Sequence, residues 1–147
     1  MVLTPDQFLE RISHKKIYYF VSHHIKNSPE PHYFVCSGFD SENVMILSCF
    51  TTQLEKKMAY VQSRDLDYST LVFVDPTTEN GLTQKCCVNC NEIYLHTKDE
   101  FKSMYESGKL KFKGELEDGY YAQVCIGIKS SDLIDEEQKL KITDIDC

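Results

Sequence analysis

The 147 residues, 41% apolar and 27% charged, suffice for one domain with a buried core and are ordinary for a globular protein. No run approaches the roughly 18 apolar residues that cross a bilayer. The opening MVLTPDQFLERIS lacks a basic stretch followed by an apolar one, so a cytoplasmic location with no membrane partner is expected. The net charge of −7 is uneven: residues 114–147 hold nine acids against three lysines, which weighs against extended polyanion binding while leaving room for a local basic patch.

Thr4 followed by Pro5 and Asp6 predicts a capped helix start, with Phe8, Leu9 and Ile12 on one apolar face. Residues 16–21, KIYYFV, are aromatic and β-branched and read as a strand. A loop with Asn27, Ser28, Pro29 and Pro31 follows. Residues 32–37 and 44–50 are the next strands, joined by a polar turn over 38–43. Their nearly continuous apolar runs predict burial on both faces, as in the centre of a small barrel. Residues 53–64 are ambiguous, with Leu54, Met58 and Val61 at helical spacing. LVFVD at 71–75 is a strand stopped by Pro76.

Residues 85–96 read as one or two strands. Thr97 to Glu100 is a capping box opening a helix that bears Phe101, Met104 and Tyr105 and stops at Gly108. A short strand over 109–113 and a helix capped by Asp118 come next, the latter with Tyr121, Val124, Cys125 and Ile128 on one stripe. One or two further helical turns and a frayed end close the chain. The expected domain is single over 1–147: a helical extension at 1–14, a barrel with helices at 15–130 and an acidic end at 131–147. The fold class is α+β, five to seven strands with an N-terminal helix and two or three short additional helices.

Seven cysteines in scattered positions do not suggest a disulfide framework. Cys87 and Cys90 have CxxC spacing beside Cys86, with His96 six residues on, but no second pair completes a zinc site. In a strand, alternate side chains also face opposite ways. Reduced structural cysteines are the expectation, with no cofactor and no metal.

The order KIYYFV, then HYFVCSG through VMILSCFTTQ, LVFVDPTTEN, KCCVNCNEIY and KFKGELEDGYYAQVCIGI resembles the PemK/MazF-like toxin family. The resemblance covers roughly residues 15–130. It implies an SH3-like barrel, a metal-independent endoribonuclease acting on single-stranded RNA, an antitoxin partner and a homodimer. In that family a Thr or Ser after the third strand is catalytic, and Thr51 and Thr52 match that place. The usual loop arginine is unmatched, since no arginine lies between Arg11 and Arg64, and Lys15-Lys16 replace the usual glycine-aspartate.

RNA cleavage without a metal uses the neighbouring 2′-OH as nucleophile and needs a base, an acid and positive charge at the phosphate. His23 and His24 supply the proton-transfer groups, Lys26 the charge, and Thr51 or Thr52 a hydrogen bond to a phosphate oxygen. The expected site is therefore His23, His24, Lys26, Thr51 and Thr52. The alternative is a catalytically inactive barrel serving as a protein–protein interaction module, favoured by the missing arginine and the acidic end. In the bland reading of the same residues, the histidines are solvated and the threonines satisfy a turn.

Overall fold

The structure, a computed structural model, describes residues 2–26, 29–40 and 42–142. Helix α1 (Pro5–Glu10) starts as the sequence predicts, with Thr4 and Gln7 forming a reciprocal capping box and Pro5 in the first turn. Among the described residues seven strands follow: β1 (Lys16–Phe20), β2 (His32–Phe39), β3 (Met45–Thr51), β4 (Leu71–Val74), β5 (Cys86–Asn89), β6 (Tyr94–His96) and β7 (Lys111–Glu115). They alternate with α2 (Leu54–Ser63), α3 (Lys98–Glu106), α4 (Asp118–Ser130) and the short α5 (Glu136–Lys139). All pairings are antiparallel in the order β4-β5-β3-β2-β1-β7. β3 is shared: its N-terminal half pairs with β6 and its C-terminal end with β5.

The α+β class and the strand number agree with the sequence; barrel closure does not. The sheet is open, with β4 and β7 at its two ends. The continuous apolar runs of β2 and β3 arise because helices cover both faces. On one face Tyr121, Val124, Cys125 and Ile128 of α4 pack on Ile17, Val35, Ile46, Val72 and Val88. On the other, Phe8 and Phe101, from α1 and α3, close over Tyr18, Phe20, Phe34, Met45 and Leu47. Alternation along each strand sends successive residues to the two cores. Each fully buried aromatic contributes roughly 1.5–3 kcal/mol relative to exposure.

The sheet nevertheless curls. Phe20 of β1 and His96 of β6 lie two intervening strands apart in the ladder, yet their rings are 5.2 Å apart, edge to face. At the far end, the loop after β4 lies along the outer edge of β7, where Glu115 N–H donates to Glu79 C=O at 2.9 Å. Fully buried Asn80 holds this loop, accepting from Thr77 and Leu82 N–H and donating to Asp75 C=O and Glu117. The approach is too close for side chains: a Cβ on Gly114 would meet Glu79 O at 2.4 Å, and one on Gly81 (φ +70°) would meet Lys113 O at 2.1 Å.

Three local readings sharpen. The ambiguous 53–64 segment is helix α2, residues 85–96 divide into β5 and β6, and the N-cap of α4 is Glu117, with Asp118 inside the helix. Asn27 and Ser28 of the predicted loop, Ser41 of the turn, and residues 143–147 of the acidic end, Cys147 included, lie outside the described residues. No helix of the described residues is long and apolar enough to cross a membrane.

Candidate functional site

Two places on the face covered by α1 and α3 gather chemistry-bearing side chains. The first grows from the C-terminal end of β3. Cys49 and Thr51 point to the same face, and β2 pairs Phe34 with Cys49; continuing that register by two residues sets His32 across from Thr51. Residues so opposed stand about 4.5–5.5 Å apart at Cβ. A cavity of about 170 Å³ opens there, and its lining includes Ile25, His32, Thr51, Lys57, Glu92 and Tyr94.

Local bonding sets what each group can do. Thr51 Oγ1 accepts from Gln53 N–H at 3.1 Å, the turn role expected of a strand-end hydroxyl, and keeps its own proton to donate. His32 Nδ1 is buried with no hydrogen-bond partner, a state that most interior ring nitrogens avoid. Lys57 arrives on α2, which begins three residues after Thr51. The Tyr94 hydroxyl donates to Glu92 at 2.6 Å, and burial, reinforced by that carboxylate, raises the phenol above its usual range.

The second place is a histidine cluster at the opposite end of β3, where β6 pairs His96 with Met45. Six residue steps of strand, about 20 Å at 3.3 Å per step, separate Met45 from Thr51. The turn after β1 folds back onto β6. There Ser22 Oγ meets His96 Nε2 at 2.8 Å, and His24 Nε2 donates to Leu95 C=O at 2.8 Å. The rings of His23, His24 and His96 stand 4.1 to 5.2 Å apart. Glu100 faces them: its Oε2 lies 3.3 Å from His96 Nδ1 and 3.5 Å from His23 Nδ1, while its Oε1 accepts from Thr97 N–H in the capping box of α3.

Burial lowers the His96 pKa to about 4, outweighing the raising effect of Glu100, and His24 and His23 lower it further. Burial of the Glu100 carboxyl acts upward. The hydrogen bond from Thr97 N–H, the nearby His96 and the Thr97 hydroxyl more than offset it and hold the group below the usual range. The cluster therefore presents neutral His96 beside an ionised carboxylate near pH 7.

The sequence-predicted residues thus divide. His23 meets His96 and Glu100, His24 meets His96, and Thr51 lines one cavity with His32. Thr52 is exposed beside a separate small cavity with Leu82 and Gln84, and Lys26 is exposed at the end of its turn. The bend of residues 22–26 does reach the Thr51 cavity, but through Ile25. The buried thiols of Cys86, Cys87 and Cys90 sit in core packing: burial pushes Cys86 up to about 12 and Cys87 to about 11, and raises Cys90 further. Sequence reasoning passed over His32, Lys57 and Glu92, and met His96 and Glu100 only as a neighbour of the CxxC and as a cap. Comparison of the chain with models of known protein families and with characterised proteins finds no match, so the chemistry rests on the geometry.

Proposed function

We propose that the protein is a PemK/MazF-like endoribonuclease of the cytoplasm that cuts single-stranded RNA without a metal in the cavity around Thr51. On this reading the open, curled sheet is a splayed form of the family's SH3-like barrel, and an antitoxin and a second copy of the chain are its partners. The observation that carries it is the convergence of a hydroxyl residue, a histidine and a lysine (Thr51, His32 and Lys57) in the lining of one cavity. In the reaction His32 takes the 2′-OH proton, the 2′ oxygen attacks the adjacent phosphorus, and the bond to the 5′ oxygen breaks as that oxygen takes a proton from solvent water. Lys57 balances the charge gathering on the non-bridging oxygens, and Thr51 donates a hydrogen bond to one of them. His32 and Lys57 take the roles that the sequence offered to His23, His24 and Lys26, and Thr51 is favoured over Thr52.

Purified protein is expected to cut single-stranded RNA in EDTA, leaving 2′,3′-cyclic phosphate and 5′-hydroxyl ends. His32→Gln should slow cutting by about 10²–10⁴-fold. Thr51→Val should also slow it, while Thr52→Ala stays close to wild type. RNA left intact after prolonged incubation with concentrated wild-type protein would end the enzymatic reading in favour of the interaction module.

A further inference from the structure

We propose that His23, His24 and His96, together with Glu100, bind one divalent transition-metal ion of the zinc type, which clasps the turn after β1 to β6 and the start of α3. Among the described residues His23, His24 and His96 are the one group of three or more His, Cys, Asp or Glu side chains with ligand atoms all within 4.8 Å of one another, and Glu100 adjoins two of them. Imidazole nitrogens with one carboxylate oxygen form a donor set suited to zinc.

The distances fit the chemistry. Ligands 2.0–2.1 Å from a tetrahedral zinc stand about 3.3–3.4 Å apart. The gaps from Glu100 Oε2 to His96 Nδ1 and His23 Nδ1 are 3.3 and 3.5 Å, close to two edges of that tetrahedron. The widest nitrogen–nitrogen gap must close by about 1.5 Å, and the exposed His23 and His24 sit on a turn where such a shift is cheap. Metal-bound histidines characteristically direct their second nitrogen to a fixed partner. His24 already gives Nε2–H to Leu95 C=O, leaving Nδ1 as a lone-pair donor, and His96 has Nε2 on Ser22 Oγ, leaving Nδ1 toward Glu100. The carboxylate is likewise divided, Oε1 to the helix cap and Oε2 to the imidazoles.

The clasp lies where the curl of the sheet brings the turn after β1 against β6. Between the turn after β1 and β6 the described contacts run through side chains: Ser22 to His96, and His24 to the Leu95 carbonyl. An ion would join these elements directly. The cleavage chemistry proposed above is not routed through it, so the two ideas stand or fall separately.

The test uses the full chain, stripped with chelator and then titrated with Co²⁺ as a spectroscopic probe and with Zn²⁺ by calorimetry. One equivalent of Co²⁺ should bind with the strong visible absorption of a four-coordinate nitrogen–oxygen site, and Zn²⁺ should displace it. The His23→Gln/His24→Gln double variant changes only exposed side chains, so its far-UV circular dichroism should match wild type while affinity falls at least 100-fold. Glu100→Gln retains a capping oxygen and should weaken binding about 10-fold. Absence of binding up to about 0.1 mM ion, or binding undiminished in the double variant, would overturn the site. Sulfur-to-cobalt charge-transfer bands would do the same by assigning the ion to cysteines.

Discussion

The two ends of β3 on this face are built on opposite principles. At the Met45 end the buried imidazole is fully engaged: the His96 side chain is 1% exposed, wedged against Phe20 and Phe101, and bonded through both ring nitrogens. At the Thr51 end the groups are under-used: His32 Nδ1 has no partner, and Thr51 spends an acceptor on its turn and keeps its proton. A buried imidazole held at both nitrogens specifies structure, whereas a hydroxyl with an unspent proton beside a cavity is what a passing ligand can take up. The same residue type, histidine, thus takes different roles through its surroundings alone.

The largest effect that separates the two ends is chemical reactivity. Cys49 lines the Thr51 cavity, yet burial, helped by Glu92 and opposed by Lys57, pushes its thiol up to about 12. At pH 8 alkylation of Cys49 should be about 10³-fold slower than for the same thiol after unfolding in urea, read by mass spectrometry of labelled peptides. The sign for stability follows. An unfolded thiol titrates near 9, so the contribution of Cys36, Cys49, Cys86 and Cys87 is fully present below pH 9 and declines as pH rises from there through 11 to 12. Rapid native labelling of Cys49 would show that the cavity is wetter than its lining suggests.

Next in size is the loss of each histidine. His96→Ala removes a packed ring and strands Ser22, and should cost about 2–4 kcal/mol in urea unfolding. His32→Ala, at a cavity rim, should cost less than about 1 kcal/mol. Equal costs would erase the distinction between the two ends. Smallest is the cap that ties Glu100 in place: Thr97→Ala should cost about 1 kcal/mol, with His24→Ala near zero.

The secondary structure was legible because its signals are local. Thr4 with Pro5, and Thr97 with Glu100, announce helix starts within four residues, and both form the bonds predicted. The nearly continuous apolar runs of β2 and β3 announced strands buried on both faces. What covered those faces was not written locally, since a barrel wall and a helix-covered sheet demand the same continuous apolar pattern. The candidate sites failed to show for the same reason at longer range. His24 bonds to a carbonyl 71 positions away, and His32 shares a cavity with Thr51 only because β2 runs beside β3. No spacing rule joins such partners. His32, at the first position of a strand, carried no signal beyond its residue type.

The strip of chain seated on β7 has a consequence for how molecules of this protein meet one another. A bare outer strand invites pairing with a neighbour, and natural sheets blunt that tendency by occupying it. Here two glycines without side chains let the segment held by Asn80 lie flush against the last strand, bonded through Glu115. The C-terminal end of that margin is thereby covered, and bulk introduced at Gly81 or Gly114 would lift the cover and leave an adhesive edge.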